Sequence, residues 1–120
     1  QPVQIPTRRG SEQFQRIHEA LARVELSDGL TFAQLVIEAQ SQIPRDATVL
    51  AIIPGDNDQT TIALQNMARR GFAVSVMVNA FDPIDYAQIS SPFISAGIET
   101  YHLRDEESIV HVCRKHVVRI

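Results

Sequence analysis

Short apolar runs alternate with helical segments from Thr48 onward, and this alternation leaves few folds open to the chain. The runs are TVLAII (Thr48–Ile53), FAVSVMV (residues 72–78) and IETYHL (residues 98–103). The first is too short for a lone helix and rich in β-branched residues, which predicts a strand buried on both faces. Strands separated by helices need crossovers, which make the sheet parallel and place its strands in chain order. The sequence therefore predicts an α/β fold with three layers and about three parallel strands, half of a doubly wound fold.

Five helices surround these strands in the prediction. Ser11 is placed to cap the first helix. The second helix covers residues 32–43 between a capping-box sequence at Thr31 and a stop at Pro44, and the last covers residues 105–115. The two crossover helices share one face of the sheet, so the other three helices are expected to cover the opposite face. Helical spacing predicts these inward residues: Phe14, Ile17, Leu21 and Val24; Leu35, Val36, Ala39 and Ile43; Ile62, Leu64 and Met67; Ile109, Val110 and Cys113.

Turn and capping residues mark the ends of the crossover helices. The third helix begins at Asn57 or Asp58, and Gly71 suits the left-handed position just past its end. Asp82 is placed to cap the fourth helix, with Pro83 at the first helical position.

Length and charge exclude several classes of protein. The 120 residues form one domain (residues 11–120) after an extended lead-in (residues 1–10), in which residues 3–5 are a candidate edge strand. The 11 Lys and Arg against 14 Asp and Glu show no basic surplus for nucleic acid. No apolar run approaches the ~20 residues that span a bilayer, and the single cysteine fits a reducing compartment. We interpret the chain, which lacks an initiator Met, as a piece of a longer protein.

Acidic residues follow each predicted strand, at the edge where parallel sheets bind ligands. They are Asp56 and Asp58, then Asp82, then Asp105 and Glu106. A carboxylate cluster that holds Mg²⁺ is one interpretation. Helix caps are the favoured alternative, because each acid except Asp56 falls where its helix needs a cap.

Histidine and cysteine suggest weaker candidates. His111, Cys113 and His116 have a zinc-like spacing, but the first two point to nearly opposite sides of a helix, so we expect Cys113 to be a buried structural thiol. His102, at the end of the third strand, is the histidine placed near the ligand edge.

Five segments of the chain are informative when taken together: PTRRG, ALARVELSDGLTFAQLV, IPRDATVLAIIP, MARRGFAVSVMV and AGIETYHL. In their order and spacing they resemble one bacterial family, the proteins grouped as domain of unknown function 58. The resemblance covers nearly the whole chain and implies a von Willebrand factor type A-like, Rossmann-like fold that follows an amino-terminal membrane-anchored region.

The resemblance also implies where a metal site would stand. Thr31 matches the second motif of the von Willebrand metal-ion-dependent adhesion site. The third motif is an Asp just after the first strand; Pro54 and Gly55 occupy that position here, and the acid follows at Asp56. The first motif, Asp-x-Ser-x-Ser, does not occur in these residues. No cofactor is therefore expected for this chain alone. Binding of Mg²⁺ is expected only if the first motif is present upstream. The weak metal candidates are Thr31, Asp56, Asp58 and Asp82.

Two functions from different classes follow as expectations. The first is a non-enzymatic protein-interaction module that, by the resemblance, acts with a hexameric ATPase of the MoxR type in assembly or envelope stress. The alternative is a metal- or small-ligand-binding domain or hydrolase that uses Asp56, Asp58, Asp82 and His102. The expected location is the cytoplasm, at the inner face of the membrane if an upstream anchor is present.

The strand Thr48–Ile53 predicts self-association. In a complete domain of this type it has a neighbour on each side, and here one neighbour is outside the chain. An apolar edge without Lys or Pro recruits other strands, so we expect a homo-oligomer through this strand. The alternative is that residues 1–10 fold over the edge and keep the chain monomeric.

Overall fold

Helices and strands alternate in the computed structural model, which describes residue 5 and residues 8–23, 31–55 and 58–118, with the side chains at 112 and 115–118 excepted. Over these residues the elements follow in this order: α1 (Ser11–Arg23), α2 (Phe32–Ala39), β1 (Thr48–Ile53), α3 (Asp58–Arg69), β2 (Ala73–Val78), α4 (Pro83–Ser95), β3 (Glu99–His102) and α5 (Glu106–Val118).

The strands form one parallel sheet in the order β1-β2-β3. Ala51 lies opposite Val76, which lies opposite Thr100, so the register runs straight across the sheet. The predicted fold class is confirmed: an α/β fold with a three-stranded parallel sheet flanked by helices, its strands side by side in chain order.

Both crossover helices end in the same way. After α3, the Gly71 N–H donates to the Ala68 carbonyl at 3.0 Å and the Phe72 N–H to the Met67 carbonyl at 3.3 Å. Gly71 has φ +98°, as this Schellman ending requires. Gly97 ends α4 with the equivalent pair of bonds. Each ending turns the chain directly into the next strand, which confirms the predicted role of Gly71.

The main core lies on one face of the sheet. Ala51, Ile53, Val76 and Val78 meet buried residues from three helices. Those residues include Val36 from α2, Leu64 and Met67 from α3, and Phe93 from α4.

The position of α2 differs from the prediction, which placed this helix on the opposite face of the sheet. Val36 belongs to the same core as α3 and α4, and α2 packs beside α3. Two side-chain contacts accompany this placement. Arg45, in the connection from α2 to β1, donates to the Arg70 carbonyl, and Arg70 donates to Gln40 at 2.8 Å. These bonds tie both ends of the connection to the end of α3.

The opposite face of the sheet is partly exposed. Leu50 and Ile52 are 45% and 57% exposed, so the prediction that β1 is buried on both faces was wrong. Met77 and Tyr101 form a small buried cluster farther along this face, with Leu103 packed against it. Several residues predicted to face inward on helices are also exposed, because α1 and α5 show no extensive packing against the sheet among the described residues: Phe14, Ile17, Leu21, Ile109, Val110 and Cys113.

Two helix ends differ from the predicted ones. α2 ends at Ala39 rather than at residue 43, because the N–H groups of Gln42 and Ile43 both bond to the Ala39 carbonyl and tighten the chain into a turn before Pro44. α5 continues to Val118. Residue 5 is not in a strand, and residues 3 and 4 of the candidate edge strand lie outside the described range.

Candidate functional site

Two of the acidic residues at the carboxyl ends of the strands, Asp82 and Asp105, act as helix caps. Asp82 accepts a hydrogen bond from the Ile84 N–H at 2.8 Å, and Asp105 accepts one from the Ser108 N–H at 2.9 Å. Asp58 and Glu106 are the exposed first residues of α3 and α5, inside the helices rather than at the cap position, so the prediction that they are caps was wrong. The predicted caps at Asp82 and Asp105 are confirmed.

Thr31 forms the predicted capping box. Its side-chain oxygen accepts from the Gln34 N–H at 3.1 Å, and the Gln34 side chain accepts from the Thr31 N–H at 3.0 Å. Asp56, the acid without a capping duty, lies outside the described residues. Within the described part of the chain, no three His, Cys, Asp or Glu side chains are grouped to hold a metal ion.

His102 joins the third strand to the loop after the second. Its Nε2 lies 2.6 Å from the Ala80 carbonyl oxygen, and its ring stacks on Tyr86 with centroids 4.2 Å apart and an interplanar angle of 11°. A carbonyl oxygen only accepts, so Nε2 is the nitrogen that carries the proton. The first contact ties the end of β3 to the loop after β2, and the second ties it to α4.

The thiol of Cys113 is exposed, which corrects the prediction of a buried structural thiol. The prediction assumed that α5 buries its apolar stripe, but Ile109 and Val110 on the same helix are nearly half exposed. The side chain of His116 lies outside the described residues.

A groove that the sequence did not reveal runs between α2 and α3. It encloses about 950 Å³ and is open to solvent along its length. Ile37 on α2 and Ile62 on α3 line it and are 66% and 54% exposed, while Ala63 and Phe72 form a buried apolar floor. The spacing rule assigned Ile62 to the interior, where Thr60 and Ala63 are buried instead. The exposed position of Ile62 follows from the course of α2, which the sequence pattern does not specify.

One end of this groove is positively charged. Arg45 and Arg70 both line it where α3 ends and β1 begins. The Arg45 guanidinium lies 4.7 Å from the centre of the Phe72 ring, a cation–π contact, and the bonds to the Arg70 carbonyl and to Gln40 fix both side chains. Among the residues that the structure describes, none of those lining the groove is Asp or Glu.

Strand β1 presents a second surface. In the described part of the chain it pairs only with β2, so its other side is an edge of the sheet that these residues form. Leu50 and Ile52 stand exposed beside that edge.

Comparisons of the chain with protein-family models, curated proteins and solved structures find no match. Across the described residues, no helix has the length and apolar character needed to cross a membrane.

Proposed function

We propose that this chain is a non-enzymatic protein-interaction module of the von Willebrand A-like type. The observation that carries the proposal is the edge strand β1. Its backbone pairs on one side only in the described residues, and Leu50 and Ile52 add exposed apolar surface beside it. Such an edge is a template for another strand, and contiguous exposed apolar surface marks interaction sites.

The groups at the carboxyl ends of the strands support a binding role over catalysis. Asp82 and Asp105 accept backbone N–H groups, and His102 is bonded to a carbonyl and stacked on Tyr86. A general acid or base needs a side chain that reaches a substrate proton. These side chains are held by structural partners.

Two partners follow from the proposal. The first is a second copy of the chain: β1 of each copy pairs across a two-fold axis, antiparallel at the join, and the two sheets become one of six strands. The second is the MoxR-type ATPase that the family resemblance implies. Both would use the β1 edge.

A matched pair of variants tests this edge. Ile52→Lys places a charge beside it, a substitution that natural edge strands use against pairing. Ile94→Lys is the control, since Ile94 on α4 is exposed to nearly the same extent, 58% against 57%. We expect light scattering at micromolar concentration to give a dimer mass for the native chain and for Ile94→Lys, and a monomer mass for Ile52→Lys. A monomer mass for the native chain would refute the self-pairing.

Binding of the ATPase is tested with the same native chain and the same two variants. The chain is immobilised and titrated with purified MoxR-type ATPase from the same organism. Binding that Ile52→Lys abolishes and Ile94→Lys preserves supports the shared edge. Equal binding by both variants, or none by the native chain, contradicts it.

A further inference from the structure

We propose that the groove between α2 and α3 is a docking site for an amphipathic α-helix of a partner protein that carries carboxylates at one end. The inference rests on the role as an interaction module, but it concerns a surface other than the β1 edge. Three features of the groove carry it: its apolar rims, its length and its charge.

The rims of the groove supply the apolar contact. Ile37 and Ile62 are more than half exposed and stand on the two helices that form the walls. The floor is apolar and buried: Ala63 is 8% exposed, and Phe72, under the Arg45 guanidinium at the charged end, is 7% exposed. A row of apolar side chains laid into this groove would cover both isoleucines and rest on the floor, as in helix-in-groove recognition.

The length of the walls sets the length of the guest. α2 has 8 residues and α3 has 12. At ~1.5 Å per residue, the walls extend about 12 to 18 Å, which matches two to three turns of a helix. Apolar anchors at positions i, i+4 and i+7 of the guest would therefore meet the groove from end to end.

The charge of the groove defines the polar end of the guest. Arg45 and Arg70 lie at the same end, and no described carboxylate pairs with either one. The hydrogen bonds to the Arg70 carbonyl and to Gln40 engage only part of the five N–H donors of each guanidinium. Two like charges held together without an acid favour an anionic partner, and guanidinium groups bind carboxylates in a fork geometry. This cationic end is local, since the whole chain has a formal net charge of −3.

A synthetic helix of about 12 residues tests the proposal. It carries Leu at i, i+4 and i+7 and two Glu at one end, with a fluorescent label. One comparison peptide replaces both Glu with Gln, and another replaces the Leu residues with Ser. Binding is followed by fluorescence anisotropy. We expect binding of the acidic amphipathic peptide, binding at least about tenfold weaker for the Gln peptide, and none for the Ser peptide.

Variants of the chain test whether the peptide binds in the groove. Ile37→Glu should abolish binding, whereas Ile94→Glu, on an exposed residue outside the groove, should not change it. Arg70→Gln should lower the affinity for the acidic peptide to that for the Gln peptide. Arg16→Gln on α1 should leave the affinity for the acidic peptide unchanged. Arg70→Glu should instead favour a peptide with Lys in place of Glu, which a variant that merely unfolds could not do.

The outcomes separate this site from the β1 edge. Ile52→Lys should keep full affinity for the acidic peptide even where it abolishes self-association. Equal affinity for the Glu and Gln peptides, or binding that survives Ile37→Glu, would overturn the docking site and leave the β1 proposal standing. Binding that Ile52→Lys abolishes and Ile37→Glu spares would assign the peptide to the β1 edge and also overturn it.

Discussion

Thr31 carries a capping box whose two hydrogen bonds are both present, and it gives the first prediction at the scale of a single residue. Thr31→Ala removes the oxygen that accepts the Gln34 N–H, so it should lower the free energy of unfolding by about 1 kcal/mol, while Thr31→Ser keeps that oxygen and should cost little. Urea unfolding measures both. Unchanged midpoints for both variants would contradict a role for the cap in stability.

Gly71 gives a second residue-scale prediction, because its φ of +98° is unfavourable for any residue with a Cβ. Gly71→Ala should cost about 1–2 kcal/mol of stability through backbone strain. Its added Cβ meets no close atom, with Arg45 Nη1 at 3.5 Å as the neighbour, so a steric clash is not the cause. Gly55→Ala is the control, since Gly55 has no positive φ and nothing within 4 Å. Equal stability of the two variants would show that the Schellman ending does not require a glycine at position 71.

At the scale of an element, α5 exposes Cys113, and this exposure is directly measurable. We expect an aromatic disulfide reagent to modify the thiol fully in the folded chain, at a rate close to that in urea, because reactivity depends on access. A thiol that reacts only after unfolding would show that α5 buries its apolar stripe in solution.

Elements defined by local chemistry were predictable, whereas their packing partners were not. The strands, the Asp82 cap, the Thr31 capping box and the glycine endings depend on residues within a turn of one another. The course of α2 depends instead on bonds from Arg45 and Arg70, which lie 25 residues apart in the chain. No spacing rule carries that information.

The same limit applied to the candidate site. The caps at the strand ends could be predicted because a cap depends only on which residue directly precedes the helix. The groove was missed because it exists only once α2 lies beside α3, and its apolar rims come from residues that a helical stripe assigns either to solvent or to the core. Ile62 is the clear example: its spacing predicts burial, and the position of α2 leaves it exposed.

At the scale of the whole molecule, the capping roles of the acids predict how the fold responds to divalent cations. Because Asp82 already accepts a backbone N–H, we expect the melting temperature to stay the same when Mg²⁺ or Mn²⁺ is added. An ion that binds only the folded chain would raise it. Asp82→Asn keeps a cap without the charge and serves as the control. A rise of several degrees that Asp82→Asn abolishes would mean that the carboxylates hold an ion.

The order of the strands in the sheet also sets the order in which the molecule assembles. Each pairing joins strands that are consecutive in the chain, so each closes a loop containing one helix. The unit β1-α3-β2 is complete in sequence before β3 begins. During synthesis amino-terminal parts emerge first, so this unit leaves the ribosome before β3 does. We expect folding on the ribosome to proceed strand by strand, with β2 as the template for β3.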